Sequence, residues 1–179
     1  MATRYAALLR GINVGGNKKV PMADLRAMTA GLGFADPRTL LQSGNLVFDG
    51  KAQATAKLEQ LLEAATKKTI GVECSYLVRT AEDWTRIVAA NPFAKVAIAD
   101  PSHLVVTACR EAPDRAALDA LRAEVRGEED FELVGRELFV CYPDGIGTSR
   151  LALALSKNKL GTICTARNWN TVLKILSLL

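Results

Sequence analysis

One order of patterns, occurring twice, limits what this chain can fold into. An apolar strand pattern, a helix, a two-strand hairpin, a second helix, a further strand and a closing helix come in turn. The same order returns after roughly 90–98 residues. In the first pass, Tyr5–Leu9 is a continuous apolar run that reads as a buried strand. Leu25, Met28 and Leu32 then recur at helical spacing, and Gly31 or Gly33 is the natural stop. Asp36-Pro37 predicts a turn into a hairpin whose strands are Thr39–Gln42 and Asn45–Phe48, with Ser43-Gly44 at the tip. Leu58, Leu61, Leu62 and Ala65 mark a second helix, and Val72–Arg79 a further strand. Thr80-x-x-Asp83 reads as a capping box opening the closing helix, which ends at Asn91-Pro92.

The second pass runs from a strand at Leu104–Ala108, through a helix begun at Pro113, to a hairpin about Gly135-Arg136. A helix begun at Thr148 or Ser149 comes next, then a short strand near Thr162–Cys164 and a final helix. This order predicts an α+β chain of two tandem ferredoxin-like (β-α-β-β-α-β) lobes packed together, each followed by an extra helix. The expected lobes are residues 1–92 and 93–179, either separate or interlocked as one compact domain. The copies share pattern rather than residues, so duplication is inferred from order alone.

The connection after the first strand is the most informative loop. Arg10-Gly11-Ile12-Asn13-Val14-Gly15-Gly16-Asn17-Lys18-Lys19 leads to Pro21, where the helix opens. Three glycines in six residues allow backbone amides to turn toward a ligand, and such a nest attracts anions. The alternative is a flexible connection with solvated lysines. A phosphate-binding P-loop is excluded, because Asn17 separates Gly16 from Lys18 and Lys19 stands where a hydroxyl is needed. The dinucleotide pattern G-x-G-x-x-G is absent as well. Pro21 removes one amide from the helix start.

Charge is distributed unevenly. Residues 1–23 carry Arg4, Arg10, Lys18 and Lys19 with no acid, and residues 145–179 carry Arg150, Lys157, Lys159, Arg167 and Lys174 with none. These nine cations leave the middle of a chain of net charge +4 at −5. If the ends meet, they form an anion-attracting surface; if they lie apart, each is a solvated face.

A second candidate stretch is Thr165-Ala166-Arg167-Asn168-Trp169-Asn170-Thr171, expected at the start of the last helix. Free amides there favour an anion, and Arg167 could grip phosphate or carboxylate with two prongs. Asn168 or Thr165 could instead be the helix cap. Gln42, Ser43 and Asn45 are either a plain hairpin tip or part of a site. A parallel run of the first and third strands would put that tip at the opposite end of the sheet from the Gly11–Lys19 loop. His103 is the single histidine, at the start of a strand after Pro101-Ser102, and nothing in the sequence sets a serine and a carboxylate against its imidazole as a catalytic triad needs, so it reads as a structural strand-edge residue. Glu128-Glu129-Asp130 reads as a solvated turn, and Trp84 and Trp169 as core.

Four scattered cysteines, Cys74, Cys109, Cys141 and Cys164, form no C-x-x-C pair and read as reduced, mostly buried thiols of a cytoplasmic protein. No metal site or cofactor is expected from one histidine and scattered cysteines. Met1–Arg4 runs directly into strand pattern, so no secretory leader is expected, and no apolar run reaches the ~18 residues of a membrane span.

With these stretches in view, the chain resembles a bacterial family known as domain of unknown function sixteen-ninety-seven. The resemblance rests on Leu9-Arg10-Gly11-Ile12-Asn13-Val14-Gly15-Gly16, Val20-Pro21-Met22, Gln42-Ser43-Gly44-Asn45 and Asn91-Pro92-Phe93. It continues through Pro143-Asp144-Gly145-x-Gly147-x-Ser149-Arg150-Leu151 and Thr165–Thr171, with Arg150 standing where lysine is the expected residue. It implies a compact α+β protein of two ferredoxin-like lobes and brings no established activity.

Three functions fit the residues. The first is binding of an anionic ligand, a phosphorylated or carboxylated metabolite or nucleic acid, by Arg10, Gly11, Asn13, Gly15, Gly16, Lys18, Lys19, Ser149, Arg150, Arg167, Asn168 and Asn170. Nucleic acid is the weaker form, since aromatics make up 6% of the chain and no RNP-like run is present. The second is a metal-independent enzyme using Ser43, Ser149 or a cysteine, with Arg167 stabilising negative charge. The third is a structural or regulatory partner protein in which Asn13, Asn45, Asn168 and Asn170 pair with backbone. Oligomeric state is not legible in the residues.

Overall fold

The computed structural model describes residues 2–13, 18–157 and 160–179. They form two units: the chain up to Arg86 together with Lys174–Leu179, and Ile87–Leu173.

In the first unit the apolar run of Tyr5–Leu9 lies inside β1 (Ala2–Arg10), and each of those five residues is at most 1% exposed. The chain continues through α1 (Met22–Gly31), β2 (Ala35–Leu40), β3 (Asn45–Lys51), α2 (Thr55–Ile70) and β4 (Ser75–Thr80) to α3 (Ala81–Ala89). The four strands form one sheet in the order β2-β3-β1-β4, antiparallel throughout. Leu25 and Met28 of α1 and Leu58, Leu62 and Ala65 of α2 join Tyr5, Phe48, Tyr76 and Val78 of the sheet in one apolar core. The capping box forms as expected: Asp83 N–H donates to Thr80 Oγ1 at 3.0 Å and Thr80 N–H to Asp83 Oδ2 at 3.2 Å. Leu178 contributes its carbonyl to the same unit, accepting from Arg38 at 3.1 Å and Arg4 at 3.4 Å.

The second unit repeats this layout. After α4 (Ala94–Ala99) and a 3-10 turn at Pro101–His103 come β5 (Leu104–Cys109), α5 (Arg115–Arg122), β6 (Asp130–Val134), β7 (Glu137–Cys141), α6 (Arg150–Ser156), β8 (Cys164–Asn168) and α7 (Trp169–Leu176), whose residues from Lys174 onward belong to the first unit. Its sheet order, β6-β7-β5-β8, matches the first strand for strand. Both units are therefore ferredoxin-like, as the doubled pattern predicts. Asp114 caps α5 through Ala117 N–H at 2.7 Å, and Ser149 caps α6 through Ala152 N–H at 2.9 Å.

Two local expectations are corrected and one element is new. Asp36-Pro37 does not precede β2 but lies within it, at an irregularity between Ala35 and Arg38 that absorbs the positive φ of 46° at Asp36. α4, short and without a side-chain cap, has no counterpart in the sequence reading. Arg167 does not open the last helix: β8 extends to Asn168, where Thr165 and Arg167 point to one buried side and Ala166 to the exposed one. The helix begins only at Trp169.

Candidate functional site

The direction of β3 decides what gathers at the end of β1. Leu8 pairs with Asn45 in antiparallel register, so the β2–β3 tip lies beside the loop leaving β1. The expected parallel arrangement, which separated them, is wrong. Leu9 N–H donates to Gly44 O at 2.8 Å. Gly44 has φ of +76°, and a Cβ there would stand 2.7 Å from Ile12 Cδ1 and 2.8 Å from Leu9 Cβ, so only glycine lets the tip close on β1. Asn45 is buried and donates to Leu40 O at 2.8 Å and Ser43 Oγ at 3.2 Å, which shapes the tip from within.

Asn13 ties loop to tip. Its Nδ2 donates to Gln42 O at 2.7 Å and Val20 O at 3.1 Å, its Oδ1 accepts from Val20 N–H at 2.9 Å, and its own N–H reaches Lys18 O at 3.2 Å. These bonds hold Asn13 and Lys18 at φ of 56° and 49°, a backbone region that Asn tolerates better than most residues. Asn13 thus supports the loop rather than offering its amide to a ligand. Gly15 and Gly16 lie outside the described residues.

Arg10 ends β1 opposite Ser75, the first residue of β4. Together with Gly11, Lys18, Glu73 and Cys74 they line a polar cleft of about 460 Å³. Lys19 is exposed next to Lys18. Glu73 is already engaged: Lys67 Nζ lies 2.5 Å from its Oε1 and holds its carboxyl below the usual range, with Lys18 adding to the effect. Among the described residues no carboxylate forms an ion pair with Arg10, whereas Arg4 on the same strand binds Asp49 with two prongs, at 2.7 and 2.8 Å. Burial pushes the Cys74 thiol up to about 11, reinforced by Glu63 and opposed by Lys18, so this thiol is not a poised nucleophile. Ser75 and Glu73 were missed by the sequence reading. The strand order of the fold, which sets β4 against β1, is the signal that would have found Ser75.

The second-unit candidates separate into structural duties and one cleft. Ser149 is the α6 cap, and Arg150 pairs with Glu124 at 3.3 Å. The Arg167 guanidinium is buried within its own unit, donating to Thr165 Oγ1 and Ala166 O at 2.8 Å each, and burial lowers its pKa to about 10. It remains charged at neutral pH. Asn168 accepts from Asn170 N–H at 3.0 Å at the entry to α7 and donates to Ser102 O at 2.6 Å.

That second bond borders a cleft of about 400 Å³ lined by Ser102, His103, Tyr142, Ile146 and Asn168 among others. Here Asp100, missed in the sequence, holds His103 Nδ1 and accepts from Ser102 Oγ at 2.5 Å. Both partners keep its carboxyl below the usual range, Ser102 more than His103. A Cβ on Gly145, at φ of +84°, would stand 3.9 Å from His103 Nε2. The imidazole is thus held at one nitrogen by a carboxylate, with its other nitrogen beside the 143–147 loop. Ser102 bonds Asp100 rather than Nε2, so no Ser–His–Asp nucleophile is assembled.

The profile of the family described as "Protein of unknown function (DUF1697)" matches residues 2–139. The chain belongs to this family. It is also similar in structure to a conserved bacterial protein, SP0830 from Streptococcus pneumoniae, with a TM-score of 0.79 and 24% identity over 99% of both chains. At that identity the likeness establishes the shared fold alone. No curated protein matches the chain. Among the described residues of this DUF1697 member, no helix is long and apolar enough to cross a membrane and no cluster of His, Cys, Asp and Glu could hold a metal ion.

Proposed function

We propose that this DUF1697 protein binds a small anionic metabolite, carrying phosphate or carboxylate, in the cleft of Arg10, Gly11, Lys18 and Ser75, and does so in the cytoplasm. The observation that carries the reading is the state of Arg10. It ends a buried strand beside a hydroxyl and an ammonium, and the one acid of the cleft, Glu73, is neutralised by Lys67. A guanidinium so placed offers two parallel donors to an oxyanion, and Ser75 Oγ and Lys18 Nζ add a third and a fourth. The reading is confined to the first unit, because Ser149, Arg150, Arg167 and Asn168 are engaged by neighbours in the second. Thermal unfolding with sodium pyrophosphate, adenosine monophosphate, citrate and a short RNA tests it. A ligand at ~100 times its Kd adds about 2.7 kcal/mol of stability, so at least one small anion should raise the unfolding temperature by several degrees. Stabilisation by RNA alone, falling steeply with salt, would replace the metabolite by nucleic acid.

The Asp100–His103 pair supports a second reading, a metal-independent enzyme in which His103 moves a proton. The single histidine gives one imidazole resonance to follow. A small molecule that enters the cleft shifts it, and a metabolite panel that leaves it unmoved counts against an active site there.

A further inference from the structure

β5 and β8 end their pairing on two cysteines. Cys109 stands directly opposite Cys164 in the antiparallel register, and their Sγ atoms are 2.8 Å apart. The neighbouring pair fixes the geometry. Arg110 N–H donates to Ile163 O at 2.8 Å, so Arg110 and Ile163 are a hydrogen-bonded pair and Cys109 and Cys164 a non-hydrogen-bonded one. At such a position the Cα atoms lie about 4.5 Å apart with side chains close, inside the roughly 4.4–6.8 Å span that a disulfide bridges. The strands hold the thiols at this spacing without further movement: Cys109 is also fixed to the β7 side through its N–H on Arg136 O at 3.0 Å. The reduced pair is accommodated too, since Cys164 Sγ donates to Thr162 O at 3.4 Å.

We propose that Cys109 and Cys164 are a reversible oxidation site at which a hydroperoxide converts two thiols into a cross-strand disulfide. Cys164, the partly exposed member of the pair, gives up its proton and attacks a peroxide oxygen. The O–O bond breaks, an alcohol (water, for hydrogen peroxide) leaves, and Cys164 becomes a sulfenic acid. Cys109, fully buried and in contact, then attacks that sulfur. The S–S bond forms, the S–O bond breaks and water departs. Two thiols are oxidised and one hydroperoxide is reduced, and thiol exchange with a small dithiol reverses the bond. The bond ties the edge strand β8 to the central strand β5. The other two cysteines lack this geometry, and burial raises both the Cys74 and the Cys141 thiol.

The test treats the folded full-length chain with a few equivalents of hydrogen peroxide, then denatures and alkylates it. The expected product is lighter by about two mass units before alkylation, as two hydrogens are lost. It takes up two alkyl groups in place of the four that the reduced protein's cysteines accept. A tryptic map without reductant joins peptides 96–110 and 160–167, and dithiothreitol separates them. Cys164→Ser should give no joined peptide, while Cys141→Ser should still give it. The proposal is overturned if four alkylatable thiols persist, if peroxide yields only sulfinic or sulfonic acids, or if the joined peptides hold a different pair.

Discussion

The same place in the two sheets holds different chemistry. β1 and β5 are topological equivalents, each paired with the last strand of its sheet, and the pairings close on Arg10–Ser75 in one unit and Cys109–Cys164 in the other. The connections leaving the two strands differ as well. After β1 the chain takes eleven residues to reach α1, and Lys18 of that connection lines one cleft with Cys74, whereas five residues separate β5 from α5. The ferredoxin-like order thus fixes where two strand ends meet, and the side chains and the loop decide whether that meeting place is a charged cleft or a thiol pair.

The hairpin tips next to these strand ends should show the largest contrast. Gly44→Ala drives a Cβ into Ile12 and Leu9 in a left-handed backbone, and is expected to destabilise by about 3 kcal/mol. Gly135→Ala, at φ of +64° but with only Glu137 Oε2 at 3.8 Å, should lose about 1 kcal/mol from backbone strain alone. Equal losses by denaturant unfolding would break the claim that the first tip is pressed onto the loop.

The arginines come next. Arg167→Ala removes a buried guanidinium together with its hydrogen bonds to Thr165 Oγ1 and the Ala166 carbonyl and should cost about 2 kcal/mol, while Arg10→Ala should change unfolding by less than about 0.5 kcal/mol. The reverse ranking would make Arg10 the structural residue.

A smaller effect separates Arg10 from Arg4. The Asp49 carboxyl is held low by its hydrogen bonds to Arg4, so its contribution is present above the unfolded-chain value near 4 and is lost as pH falls through the lower folded value. Because the pair is partly exposed, its worth is about 0.5–1 kcal/mol. Asp49→Asn should flatten the acid limb of stability by that amount, and an unchanged limb would show that Arg4 is no better paired than Arg10.

Signals confined to neighbouring residues were legible in the sequence. Thr80-x-x-Asp83, the Gly135-Arg136 turn and the helix start at Thr148 or Ser149 each act within four residues and stand where they were expected, although Ser149, expected as a ligand or nucleophile, serves as the cap. The family motifs marked Asn13, Ser43, Asn45 and Asn168, but their duties depend on partners such as Gln42, Leu40 and Ser102 that only the fold supplies. Arg167 was misplaced because five residues of strand leading into Asn168 resemble a helix start when burial is unseen. The Cys109–Cys164 contact and the Arg10–Ser75 neighbourhood both arise from strand register, which no local pattern encodes.

Arg10 as an anion ligand is the point on which the proposed function turns. An equilibrium titration of pyrophosphate into the wild-type protein and Arg10→Ala, at fixed ionic strength, measures this directly. If Arg10 grips the anion, the wild type gives a binding isotherm that weakens at least about tenfold in the variant, equivalent to about 1.4 kcal/mol, with the unfolding temperature unmoved. Equal affinities in the two proteins would contradict it.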